Sequence, residues 1–88
     1  LTINDLTGQQ VEPYTPQDDG TLKANVGNWH IHVGPGGRFS LDQIVNDGGA
    51  TRSPINLGHI PARDLFERMG AMIYGIQESQ RTTPQGVA

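Results

Sequence analysis

The sequence predicts an α+β domain: a small antiparallel sheet, with a hairpin at about 26–45, packed with a C-terminal helix at about 61–79, and a long loop between them. Three runs of residues carry that reading. VGNWHIHV, Val26 to Val33, alternates, with Trp29, Ile31 and Val33 on one face and Asn28, His30 and His32 on the other, the period of a half-buried strand. GPGG, Gly34 to Gly37, then reads as a turn by composition. Near the end, Leu65, Met69, Met72 and Ile76 recur at helical spacing, and Phe66 and Ile73 widen the stripe.

In chain order, residues 1–20 read as a loop-rich N-terminal arm of a single domain spanning 1–88. Leu1, Ile3 and Leu6 fit either one edge strand or the end of a helix. Tyr14 and Thr15 border prolines, which push a preceding residue to extended backbone. Asp18 and Asp19 are turn starters or helix caps, and Gly20 permits positive φ. Thr21 to Asn25 reads as one helical turn with Leu22 pointing inward. Val26 to Val33 is the first hairpin strand, and Phe39 and Leu41 continue the alternation into the second. Ile44 and Val45 break it, which suggests a bulge or short helical turn, and Ser40 with Gln43 has capping-box spacing. Asn46 to Gly58 is a long polar loop, the kind of segment that is usually functional or ordered by a partner. Pro61 suits a first helical position. Gly70 and Gly75 weaken the final helix by about 1 kcal/mol each and suit close packing against a neighbour. Residues 81–88 read as a flexible tail.

With 88 residues, 34% hydrophobic, 12 glycines and 6 prolines, the chain has little material for a core. A domain this short buries only about 60% of its unfolded surface, and such a domain leans on partners for burial. The net charge of −3 argues against binding nucleic acid or acidic membrane. Without cysteine there is no disulfide framework and no zinc–thiolate site. No apolar run approaches the ~18 residues that span a bilayer.

The sharpest chemistry in the sequence is His30-Ile31-His32, because two histidines at i and i+2 on a strand project together and can share a metal. His59, with Asp42 or Asp47, is the candidate to complete such a site. The competing reading is that His30 and His32 line the solvent or subunit side of the strand. GPGGR resembles a phosphate cradle in composition, but such loops need a helix behind the glycines, and here a strand is expected. No serine sits in a G-x-S-x-G elbow. The Met stripe in ERMGAMIYGI is read as packing rather than as a cofactor site. Arg63 lies in the first turn of the helix, against the helix dipole. Either Glu67 four residues on is its partner, or it contacts another subunit.

In the order of its motifs, the chain resembles the bacteriophage proteins that complete the head–tail junction, known as minor capsid, head–tail connector, tail-completion or tail-terminator-like proteins. Their P-x-D-T-G-x-L-x-x-S segment is matched by Pro16, Asp18, Gly20 and Leu22, with Asp19 where threonine is usual and Asn25 where serine is usual. Their glycine turn before a variable loop is matched by Gly48 and Gly49, without the aromatic-alanine pair that precedes it in some members. Their I-P-A-R-P-F entry to a final helix is matched by Ile60, Pro61, Ala62 and Arg63, with Asp64 in place of the second proline. Family members usually carry a long helix ahead of this segment, and the given sequence has about a dozen residues there. The resemblance implies a structural virion protein of the phage neck or tail, not an enzyme, without cofactor. It implies a homo-oligomeric ring, typically sixfold, against portal, adaptor or tail-tube proteins, with DNA only as passing cargo. Two alternatives stand beside it: a metal-binding module or metal-dependent enzyme using His30, His32 and His59, and a capsid decoration or other interaction subunit.

Overall fold

The computed structural model describes residues 1–82. Its elements are α1 (Thr2–Thr7), β1 (Tyr14–Pro16), β2 (Leu22–Ala24), β3 (Trp29–Val33), β4 (Arg38–Ile44), β5 (Thr51–Arg52), β6 (Ile60–Pro61) and α2 (Ala62–Thr82). Small antiparallel sheets with a C-terminal helix make this an α+β fold. β1 and β2 form a separate two-stranded hairpin. β4 is the central strand of the second sheet. It pairs with β3 from Trp29↔Gln43 to Val33↔Phe39 on one side. On its other side it takes β5 at Gln43–Ile44 and β6 at Arg38–Phe39. The tight 3-10 turn Pro35–Gly37 closes the β3–β4 hairpin.

The helical stripe lies over β4. Leu65 joins Ile3, Trp29 and Leu41 in the buried core, and Met69, Met72, Ile73 and Ile76 pack around them. β3 is covered only at its start. Trp29 is buried, but Ile31 and Val33, on the same face, are 42% and 65% exposed. The alternation therefore places the strand correctly but overstates its burial, because α2 sits over the neighbouring strand.

Asn4 ties α1 to the sheet. Its side-chain amide donates to the Trp29 carbonyl at 2.8 Å, and its side-chain oxygen accepts from the Trp29 N–H at 2.7 Å. One buried side chain thus occupies the place of a neighbouring strand. At the far end of α2, the Gln80 amide donates to the Leu6 carbonyl at 2.7 Å.

Several expectations are corrected. The loop-rich first twenty residues also hold a helix and a strand, and of the two readings of Leu1, Ile3 and Leu6 the helical one holds, over Thr2–Thr7. Thr21–Asn25 is not a helical turn, since β2 runs through it, and Leu22 is 65% exposed rather than a core anchor. Ala24 is the buried residue there. β4 is continuous from Arg38 to Ile44, so Ser40 and Gln43 form no capping box and no bulge precedes Ile44. The 46–58 stretch is interrupted by β5, held by its register against β4. Gly70 and Gly75 face open space rather than a close neighbour. Arg81 belongs to α2, and residues 83–88 of the expected tail lie outside the described residues.

The molecule is thin, measuring 46 × 36 × 16 Å with a radius of gyration of 15.0 Å. A compact chain of this length has a radius of gyration of about 12 Å. No helix among the described residues is long and apolar enough to cross a membrane.

Candidate functional site

The motif residues fall in three places. Pro16 ends β1 and Leu22 begins β2, with the connecting turn closed by the Gly20 N–H donating to Gln17 O at 3.0 Å. Gly20 has φ +85°, the left-handed conformation that glycine adopts freely. The turn-stabilising carboxylate is Asp19, not Asp18. Its Oδ1 accepts from the Thr21 hydroxyl at 2.6 Å and the Thr21 N–H at 3.0 Å. These bonds, the hydroxyl first, favour the charged form and hold the Asp19 carboxyl below its ordinary value.

Gly48 and Gly49 sit in the turn between β4 and β5, where Gly49 has φ +84°. The Tyr14 hydroxyl lies only 2.9 Å from where a Gly49 side chain would begin. The start of β1, two residues before the first motif segment, therefore meets the second. Ile60 and Pro61 form β6 at the opposite end of β4, with Ala62 and Arg63 opening α2. Arg63 reaches Glu67 at 3.7 Å, and both side chains are largely exposed.

The three candidate histidines divide. His32 Nδ1 and His59 Nε2 lie 2.8 Å apart, so one nitrogen carries the proton between them and the other accepts it. His30 turns away, and its Nδ1 lies 3.1 Å from Asn28 Oδ1. Gly34 makes room for His59, because a side chain at Gly34 would begin 2.5 Å from the imidazole Cδ2. No three His, Cys, Asp or Glu side chains among the described residues converge on a metal position. Two imidazoles alone offer an open, two-ligand site.

The same sheet face carries a polar network invisible to motif reading. Asp42 Oδ1 accepts from the Ser40 hydroxyl at 2.5 Å and the Ser53 hydroxyl at 2.7 Å. Asn56 donates to Ser40 Oγ at 3.0 Å and to Gly58 O at 2.6 Å, and accepts from the Leu41 N–H at 3.2 Å. The hydroxyls bond the carboxylate directly, with no imidazole between, so this is not a nucleophile relay. It anchors the strap after β5 to β4.

On the opposite side, a groove of about 390 Å³ runs between α2 and the uncovered part of the sheet, lined by Leu1, Ile31, Phe39, Leu65, Phe66 and Met69 with Ala62. A smaller recess of about 240 Å³ continues it past Ile3, Gly70 and Ile73. The side chains lining the larger groove supply no acid, base or nucleophile, and the recess adds only the Thr2 hydroxyl. Phe66 and Tyr74 stand 79% and 66% exposed on α2. The helical stripe predicts Phe66 as core, yet it lies on the margin of the helix face that α1 and the sheet cover. Comparison with family models, with curated proteins and with solved structures yields no match.

Proposed function

We propose that the chain is a structural virion protein of the bacteriophage head–tail junction that works as a homo-oligomeric ring. The observation that carries the assembly reading is the thin shape together with an apolar groove and exposed Phe66 and Tyr74. A chain built this way gains burial from neighbours that its own core does not supply. The phage placement rests on the order of the three motifs. In this reading the β3–β4 hairpin and the 46–58 loop reach neighbouring subunits, and the acidic balance keeps passing DNA from adhering. The mechanism is mechanical, not chemical. Mass measurement in solution and negative-stain imaging, alone and with portal, adaptor or tail-tube proteins, test it. Closed rings are expected. A chain that never forms a ring and ignores neck components refutes the proposal.

The 2.8 Å contact between His32 and His59 favours a second reading, a metal-binding module. Stoichiometric Zn²⁺ uptake that disappears in His32→Ala supports it, and an unchanged melting temperature with Zn²⁺ or chelator removes it.

A further inference from the structure

We propose that two copies of this chain pair edge to edge through β3, antiparallel, about a two-fold axis at His32. The inference stands on the strand edge and does not depend on the neck reading.

The ladder between β3 and β4 fixes which backbone groups are free. At its ends, the Gly34 N–H donates to Arg38 O at 2.8 Å and the Ile44 N–H to Asn28 O at 3.0 Å. Bonded and non-bonded pairs alternate along an antiparallel ladder. The even positions, His30 and His32, therefore point their N–H and C=O groups at β4. The odd positions, Trp29, Ile31 and Val33, point theirs outward. The Asn4 bonds agree with this, since they meet the outward groups of Trp29. The next two rungs, at Ile31 and Val33, have no partner among the described residues. Beyond the rung that Asn4 fills, the edge is unprotected: no proline, lysine or bulge interrupts β3.

A second copy matches this edge in one register. Opposing Ile31 to Val33 of the other copy, and Val33 to Ile31, pairs every open N–H with an open C=O. The next rung would set Trp29 against position 35 of the second copy. Pro35 has no N–H to give, and the Trp29 rung is already filled by Asn4. The chain also leaves the strand at Gly34 and turns back toward its own β4, away from the partner. The ladder thus ends where the free groups end. On one face, exposed Ile31 and Val33 cover each other. On the other, His32 lies directly opposite its copy. The small contact makes a concentration-dependent dimer.

The absence of cysteine allows a clean test in the full chain. Residues directly opposite in a non-bonded antiparallel pair have Cα atoms about 4.5 Å apart, within disulfide reach. His32→Cys is expected to cross-link into a covalent dimer under mild oxidation, faster than Ile31→Cys or Val33→Cys, which lie diagonal to their copies. Val33→Pro removes only an outward N–H and leaves the β3–β4 ladder intact. It is expected to raise the dimer dissociation constant in sedimentation by about thirtyfold, through two lost bonds, while circular dichroism stays native. The proposal is overturned if the chain sediments as a monomer at all concentrations, or if the 31 or 33 variants cross-link faster than 32. A natively folded Val33→Pro with unchanged association also overturns it. Ring formation through other surfaces leaves the order of cross-linking at 31, 32 and 33 unmoved.

Discussion

Replacing Asn4 with alanine should remove the link between α1 and the sheet. Asn4 is fully buried and makes two hydrogen bonds to the Trp29 backbone, at 2.7 and 2.8 Å. Alanine leaves a buried N–H and a buried C=O without partners. Each such group costs about 1–3 kcal/mol, so a loss of about 3 kcal/mol is expected. A domain of this size has a total stability of about 4–13 kcal/mol, and its melting temperature should fall by about 12–24 °C. Trp29 is the only tryptophan, so urea unfolding followed by its fluorescence reads the affected site directly, with far-UV circular dichroism in parallel. Asn4→Asp keeps the acceptor for the Trp29 N–H but loses the donor and buries a charge, so it should be no better than alanine. A loss below about 1 kcal/mol in Asn4→Ala would refute the reasoning, because it would mean water replaces the amide at that edge.

Gly34→Ala should displace His59, whose ring carbons lie 2.5 and 2.6 Å from the new methyl position, and break its contact with His32. Unchanged imidazole resonances would count against this. Asp42→Ala should cost about 2 kcal/mol, since two hydroxyls lose their acceptor. Hydrogen exchange at the Leu41 amide, which donates to Asn56, should accelerate. The Asp19 carboxyl is held below its ordinary value of 3.8 in the folded chain. Its contribution is therefore complete above that value and is lost as pH falls through the lower folded value. Asp19→Ala should differ most from the parent at neutral pH, with the gap closing under acid; a gap that widens on acidification reverses the sign.

The hairpin and the last helix were legible because each repeats a pattern. Trp29-x-Ile31-x-Val33 followed by GPGG leaves few alternatives to a hairpin, and the Leu65–Ile76 stripe marks α2, although Pro61 ends β6 instead of opening the helix. Gly20 was legible for a similar reason, since a glycine after two aspartates anticipates the positive φ it adopts. α1 was not. Its six residues hold less than two helical turns, and Leu1 offers no side-chain cap. Tertiary bonds from Asn4 hold it instead, and asparagine reads locally as a turn or surface residue. Leu22 misled because hydrophobicity says nothing about whether anything lies above it. Among the histidines, i and i+2 spacing favoured His30 with His32. The contact formed is His32 with His59, 27 positions away, because Asn28 engages His30. Local spacing carries no information about that choice.

The bond between Gln80 and Leu6 joins positions 74 apart. It sets an order of events as the chain leaves the ribosome. The β3–β4 hairpin closes over a few residues, and hairpins form within microseconds. α1 is synthesised first, yet its contact with the far turn of α2 waits until nearly the whole described chain has emerged. Long-range closure of this kind slows folding. Ile3 meets Trp29 and Leu41 once the hairpin has formed, whereas Leu65 and the rest of the α2 stripe join them last, so this core stays open on one side until α2 has emerged.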